Sequence, residues 1–470
     1  MSLASITVEI VIFALQVLIK FLDEVSGFLV WIYRVVVVGT SERTFRQGPT
    51  DTKNTVVIVG GNFAGLSALW ELVKHSNKFR IILIEQKDYF EYTPGVLRLF
   101  CAPDCFECVA RTLPKKDSSY QIIQGRVTSI VDNREQKVIS YVHQSQSKSL
   151  SYDYLILATG STYNYPITAS GNELSWKDRK RGWEGAHQRL ASASKILILG
   201  GGAVGVELAA EIVDYFPQKE VTLVDASPTL VPLFPKSVGE YASKWLSKHG
   251  VRLVLGKFLD SWDEKSCKLK DGTVLQADIV YVCFGDRPNS QCVSSALDAT
   301  QGSAALAPFH AQLDRRKCLI VDNTLQLTRD GKNSQIFACG DVATPPTEGN
   351  KQAFHAETQG HLAARNVVRM DQRQDLHRYP EDIAGSSQMP LIFILSLGRY
   401  DGVLGFNQLI IPGPVTAVLK WGLEFTKVLH MEGRPIGKII WNLAEELVLF
   451  MSRTFIKPSV SSTVTKSKTS

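Results

Sequence analysis

Lys195–Asp225, KILILGGGAVGVELAAEIVDYFPQKEVTLVD, is the stretch that decides the fold. Lys195–Leu199 reads as a short buried strand, because its apolar run is too brief for a helix and stops at glycine. Apolar spacing from Val206 to Val213 predicts a helix, and Val221–Val224 predicts a second strand that closes on Asp225. Between the first strand and the helix stand Gly200, Gly202 and Gly205, at the G-x-G-x-x-G spacing. Glycine lets the backbone turn sharply and approach a ligand. The helix start adds unpaired N–H groups and a partial positive charge. The stretch therefore predicts a cradle for two adjacent phosphates, with Asp225 placed to accept hydrogen bonds from ribose hydroxyls.

Working outward, the same pattern stands 140 positions upstream. Val56–Val59 is a strand ending in Gly60 and Gly61, Leu66–Val73 has helical spacing, and Arg80–Ile84 closes on Glu85. Gly60 and Gly65 keep their places, but Asn62 takes the middle glycine's position. Asparagine tolerates a left-handed backbone better than most residues, so the turn can survive the change. One such motif is a weak signal, since glycine turns also merely join strands to helices. Two, each with its own strand, helix and acid, predict an α/β chain with two Rossmann-like dinucleotide-binding domains.

Further strands are expected at Arg126–Val131, Lys137–Val142, Tyr154–Ala158, Ile279–Phe284 and Gln335–Cys339. The expected organisation is a hydrophobic segment at 1–48, a first nucleotide domain at 54–170 resumed at 310–375, a second at 171–309, a C-terminal domain at 376–456 and a disordered tail at 457–470. A chain of 470 residues has ample interior for cofactors, and its +6 charge is too diffuse for a nucleic-acid binder. Eight cysteines make no disulfide framework, and Cys101, Cys105 and Cys108 lack the spacing of a metal finger or a flavin-linked disulfide; no metal is expected.

The chain resembles the two-dinucleotide-binding-domain flavoproteins from about residue 54 to 410. Within them it is most similar to the type II NADH dehydrogenases and to the ferroptosis suppressor branch related to apoptosis-inducing factor. Four stretches carry the likeness: VVIVGGNFAG (56–65), YDYLILATGS (152–161), GGGAVGVELAAEI (200–212) and LSLGRYDGVLG (395–405). The resemblance implies FAD on Gly60, Gly61, Asn62, Gly65 and Glu85, with Thr159 and Gly160 marking a crossing between domains. Gly340 and Asp341 match a second FAD motif, in which the acid holds the ribityl chain. It implies NADH on Gly200, Gly202, Gly205, Glu207, Asp225 and Gly285, with Glu207 facing the nicotinamide end as a candidate catalytic residue. Asp225 repels a 2′-phosphate, so NADH is expected to be preferred over NADPH.

The resemblance further implies a quinone acceptor near KQAFHAETQG (351–360), where His355 and Gln359 are the candidate catalytic residues and Thr358 replaces a glutamine usual in the dehydrogenases. The expected protein is thus a non-pumping NADH:quinone oxidoreductase. Rival readings are a reductase of a soluble acceptor and a slowly reoxidised signalling flavoprotein, and a homodimer is left open.

Ile10–Ile19 and Gly27–Val38 are strongly apolar but are interrupted by Lys20, Asp23, Glu24 and Arg34. An imperfect transmembrane anchor, an interfacial helical hairpin and a docked hydrophobic helix all fit. Val415–His430 and Ile436–Phe455 have the amphipathic spacing of helices that lie at a headgroup plane or cover a domain face. The expected location is a cytosol-facing membrane, of lipid droplet, endoplasmic reticulum or outer mitochondrion, with the mitochondrial inner membrane as the alternative.

Overall fold

The computed structural model describes residues 3–33, 53–114, 117–132, 136–293, 312–329, 332–347 and 351–455. The expected tail at 457–470 and residues 34–48 of the hydrophobic segment lie outside these. The helices used below are α1 (Leu3–Tyr33), α2 (Phe63–Val73), α3 (Trp176–Ser192), α4 (Ala203–Tyr215), α5 (Lys236–Lys248), α6 (Ala353–Asp371), α7 (Pro414–Met431) and α8 (Pro435–Thr454).

Both predicted nucleotide units form. In the first, strand Asn54–Val59 lies at the centre of a six-stranded sheet, flanked in parallel by Phe79–Glu85 and Tyr154–Leu157. The strand at Lys332–Ala338 returns to the far side of Tyr154–Leu157, so the sheet is completed by chain that follows the whole second unit. Val56, Val57 and Ile58 are fully buried, as a parallel strand covered on both faces requires. In the second unit, Lys195–Leu199 pairs in parallel with Glu220–Asp225 and with Ile279–Val282, and Arg252–Leu255 forms the edge.

Helices α2 and α4 begin at Phe63 and Ala203, three residues earlier than the apolar periodicity indicates, because the turn glycines are themselves taken into the first helical turn. Two three-stranded antiparallel sheets, at 126–151 and 259–276, add to the nucleotide units. A third, Ile392–Leu397, Asp401–Phe406 and Leu409–Pro412, leads into α7 and α8, and both of these helices open with proline, whose missing N–H costs nothing there.

The first apolar stretch and the described part of the second, residues 27–33, lie in one helix, α1, and not in a hairpin. It lies against α7 and α8, with Val8 and Asp23 turned inward and Asp23 3.3 Å from Arg434. Its outer side presents Ile10, Phe13, Val17 and Phe21, with Phe13 67 % exposed. Ser5–Glu24 is long and apolar enough to cross a membrane by length and composition. On α8, Ile439, Leu443, Leu447 and Phe450 are likewise exposed.

Candidate functional site

The two glycine turns are nearly congruent. Gly60 and Gly200 have φ of +106° and +114°, a region that favours glycine. The Gly60 N–H donates to Ile84 O at 2.9 Å, and the Gly200 N–H donates to Val224 O at 2.8 Å. A Cβ on Gly65 would lie 1.8 Å from Gly60 O, and one on Gly205 would lie 1.9 Å from Gly200 O. Third glycines are therefore demanded by the packing of helix against strand. Each acid closes its own turn: Glu85 Oε2 accepts the Gly61 N–H at 2.6 Å, and Asp225 Oδ2 accepts the Gly201 N–H. Two carboxylates are thus fixed at the carboxyl ends of their strands, and each keeps acceptor capacity for hydroxyl donors.

The middle positions differ. A Cβ at Gly202 would meet nothing within 4 Å, so space stands open over the second turn. Asn62 caps the first turn in an extended conformation without bonding the helix, and its Oδ1 is buried with no hydrogen-bond partner among the described residues. A buried amide oxygen left unbonded is costly, and a ligand donor at this turn would relieve it.

The crossings between the units are also built. Ser161–Thr162 pairs antiparallel with Arg287–Pro288. Asn289 pins the pair: its N–H donates to Gly160 O (2.9 Å), its side-chain NH₂ to Thr159 O (2.9 Å), and it accepts from the hydroxyls of Thr159 and Thr162 (2.7 Å each). Gly160 and Gly285 have positive φ, with open space where a Cβ would stand. Asp341 Oδ2 accepts from the Ser161 hydroxyl at 2.9 Å, which places the second acidic motif against the first crossing strand.

A small pocket open to solvent gathers Gly340, Asp341, Lys351, His355, Ala356 and Gln359, uniting residues from two predicted motifs. Gln359 Oε1 accepts the Gly340 N–H at 2.8 Å, so its amide holds the turn that carries Asp341. His355 is buried, with Nε2 3.5 Å from Pro390 O. Gly360 owes its identity to contact, since a Cβ there would lie 2.1 Å from Ala64 O of α2.

Glu207 is engaged by the C-terminal sheet and helix: Oε1 accepts the Ser396 N–H at 2.7 Å and the Lys420 ammonium at 3.1 Å. Neither partner was visible in the sequence, Lys420 being 213 positions away. Equally unannounced is a buried ionic cluster between α6, α7 and α8, in which Glu357 pairs with Lys427 beside Trp441. Cys101, Cys105 and Cys108 are free thiols; burial pushes Cys101 and the half-buried Cys105 above the usual thiol range, which leaves these two poor nucleophiles, and Cys108 is exposed.

With two glycine turns, two crossing strands and an acidic return motif in place, the fold is that of a two-unit nucleotide oxidoreductase. The chain belongs to the pyridine nucleotide-disulphide oxidoreductase family, whose model matches residues 54–360. It is 32% identical over 370 residues to ferroptosis suppressor protein 1 of Xenopus laevis, covering 75% of this chain and 88% of that protein. Among solved structures it is similar to the sulfide:quinone oxidoreductase of Aquifex aeolicus (TM-score 0.65, 17% identity, 84% of this chain and 95% of that one). It is also similar to NDH2 of Plasmodium falciparum in complex with NADH (TM-score 0.62, 14% identity, 86% and 99%). The chain is an oxidoreductase with FAD and NAD(H) as cofactors. Its residues fit them: the open space at Gly202 lets a pyrophosphate approach the second turn, and the unbonded Asn62 oxygen would accept from a hydroxyl donor of a ligand at the first.

Proposed function

We propose that the chain oxidises NADH at the Gly200–Gly205 turn, with FAD held at the Gly60–Gly65 turn, and delivers the electrons to a quinone at a membrane surface. The observation that carries this is the pair of congruent turns joined by crossing strands pinned at Asn289, an arrangement with no use for one nucleotide alone. Bound FAD supplies the ring that accepts hydride from NADH, and the cofactors own that chemistry. The protein's own work is placement. The N–H groups at the starts of α2 and α4 face phosphates, Glu85 and Asp225 accept from ribose hydroxyls, and Asp341 accepts from the ribityl chain. Glu207, fixed between Ser396 and Lys420, orients the nicotinamide end from the C-terminal side. His355 and Gln359 border the acceptor's approach, Gln359 by holding Gly340 in position.

The quinone acceptor is supported by the similarity to ferroptosis suppressor protein 1. The membrane surface is supported by the outward apolar sides of α1 and α8. Such exposed apolar rows cost free energy in water and are stabilised by an acyl-chain boundary. The test is the visible absorbance of the purified protein: yellow as isolated, bleached by NADH without oxygen, recoloured within a turnover by a short-chain quinone. A colourless protein that takes up no FAD defeats the reading. One that bleaches but stays reduced for many seconds with quinone defeats the choice of acceptor.

A further inference from the structure

Three elements meet around Glu207: α4, α7 and the short 3₁₀ segment Thr93–Phe100 of the first unit. Between them stand three carboxylates and two cations. Glu207 and Glu211 are one turn apart on α4, Lys420 and Glu424 are one turn apart on α7, and Arg98 lies on the segment. In the pairing that forms, Lys420 Nζ lies 3.1 Å from Glu207 Oε1 and Arg98 Nη1 lies 3.1 Å from Glu424 Oε1. It is not the only pairing open to these residues. Lys420 stands at the (i, i+4) spacing from Glu424 at which helical side chains meet. Both cations also face Glu211, since they oppose the upward push of burial on its carboxyl.

Glu211 and Glu424 are each 2 % exposed, and each has an Oε2 without a hydrogen-bond partner among the described residues. A buried carboxylate deprived of its cation is costly, and a flexible ammonium close by is drawn to it. Arg98 meets that demand at Glu424. The segment is shaped for the contact: residues three apart in a 3₁₀ turn stand on one face, and a Cβ on Gly95 would lie 2.8 Å from Glu424 Oε2. Glycine at 95 therefore leaves the carboxylate its place beside Arg98. With Glu424 satisfied, Lys420 is left to Glu207. The Ser396 N–H donates to the same Oε1 at 2.7 Å, so Oε2 is the oxygen left for the nicotinamide end.

We propose that Arg98 is a positioning residue for hydride transfer: by occupying Glu424 it keeps Lys420 on Glu207. This rests on the role given to Glu207 above. Arg98 acts through Lys420 and not on the nucleotide. Without it the Lys420 ammonium turns to Glu424 on its own helix, and the Glu207 carboxylate loses the partner that fixes its orientation. The first unit supplies Arg98, the C-terminal domain Lys420 and the second unit Glu207, so the oxidation of NADH depends on all three being in register.

The test follows bleaching of the full-length flavoprotein by NADH in stopped flow, without oxygen. Arg98→Met should lower the limiting bleaching rate about tenfold, as expected of a misplaced carboxylate, while the NADH concentration giving half that rate stays within about twofold of wild type. Arg98→Met combined with Glu424→Gln should recover to within about threefold of wild type, because a neutral amide no longer draws Lys420 away. Such a recovery separates positioning from support of the fold, since losing a second buried charge does not repair packing. Where Arg98→Met does not accumulate as yellow protein, Arg98→Gln replaces it with the same expectations. Wild-type bleaching in the single variant overturns the proposal, as does a double variant as slow as the single one. Glu207→Gln is the separate control: bleaching at the wild-type rate in that variant overturns the role of Glu207 itself.

Discussion

The first and second glycine turns share a backbone and differ in what the backbone is given to work with. Every fixed element recurs 140 positions on: Gly60 and Gly200, Gly65 and Gly205, Glu85 and Asp225. Even a glutamate in the body of each helix recurs, Glu71 in α2 and Glu211 in α4. Three things then diverge. Asn62 replaces the open position at Gly202. The first helix packs on α6 and the second against the C-terminal sheet. Glu71 pairs with Lys74 and Arg365 and lies beside the His361 ring, whereas Glu211 is buried with an oxygen that lacks a hydrogen bond among the described residues. The lesson is that the turn geometry is fixed by strand–helix packing, while cofactor choice is written in the residues packed around the turn.

The most severe way to break the symmetry is to add the forbidden Cβ. Gly65→Ala should yield protein without bound flavin, since the methyl group would drive α2 off its strand. Gly205→Ala should stay yellow but bleach with NADH at least 100-fold more slowly, as expected of a displaced substrate. Absorbance and stopped-flow bleaching distinguish the two, and loss of flavin from Gly205→Ala would show that the units do not divide the cofactors between them.

A gentler change fills the open space. Gly202 has φ −72°, so Gly202→Ala carries no backbone strain and should leave the melting temperature unchanged. The NADH KM should nevertheless rise about tenfold, because the methyl group stands where the backbone must approach phosphate. Asn62→Gly, the converse, should leave flavin binding intact. Comparable in size is Asp225→Asn, which removes the charge that repels a 2′-phosphate; the preference for NADH over NADPH should fall about tenfold in kcat/KM.

The smallest expected effect concerns the paired glutamates. Burial opposes ionisation of Glu71, but His361, Lys74 and Arg365 outweigh it and hold the carboxyl below the usual range. Its folded-state pKa is depressed, so its stabilisation is present above the unfolded value and fades as pH falls toward the folded one. Glu71→Gln should therefore lower the melting temperature by about 3 °C at neutral pH, the equivalent of roughly 1 kcal/mol, and converge with wild type in acid. Burial pushes Glu211 up, countered only in part by Arg98 and Lys420. With a raised folded-state pKa, its contribution is present in acid and lost as pH rises. Glu211→Gln should gain on wild type as pH increases, and parallel slopes for the two variants would remove the contrast.

The features legible in the sequence are those written in short-range spacing. Both turns and their acids could be placed, because backbone geometry demands particular residues at particular offsets, whereas the crossing at Thr159 and Gly160 was implied only by the family resemblance. Amphipathic periods likewise gave α7 and α8 to within a residue or two. Long-range polar pairings left no such trace. Lys420 reaches Glu207 and Arg98 reaches Glu424 at 3.1 Å across hundreds of positions. Arg179 of α3 lies wholly buried between Glu91 and Glu173. Each of these residues looks like an ordinary surface charge until the fold brings its partner. The single helix α1 was hidden for another reason: Lys20, Asp23 and Glu24 break its apolar run, yet Asp23 has a partner in Arg434, and so the helix continues.

The Asn289 clasp has a mechanical corollary. The two crossing ribbons are short, and Asn289 with Asn164 rivets them together, so the two nucleotide units meet at a narrow common pivot. A small rotation at the rivet is magnified along each unit into a larger sideways travel at its tip, where two ring systems would have to overlap within an ångström or so.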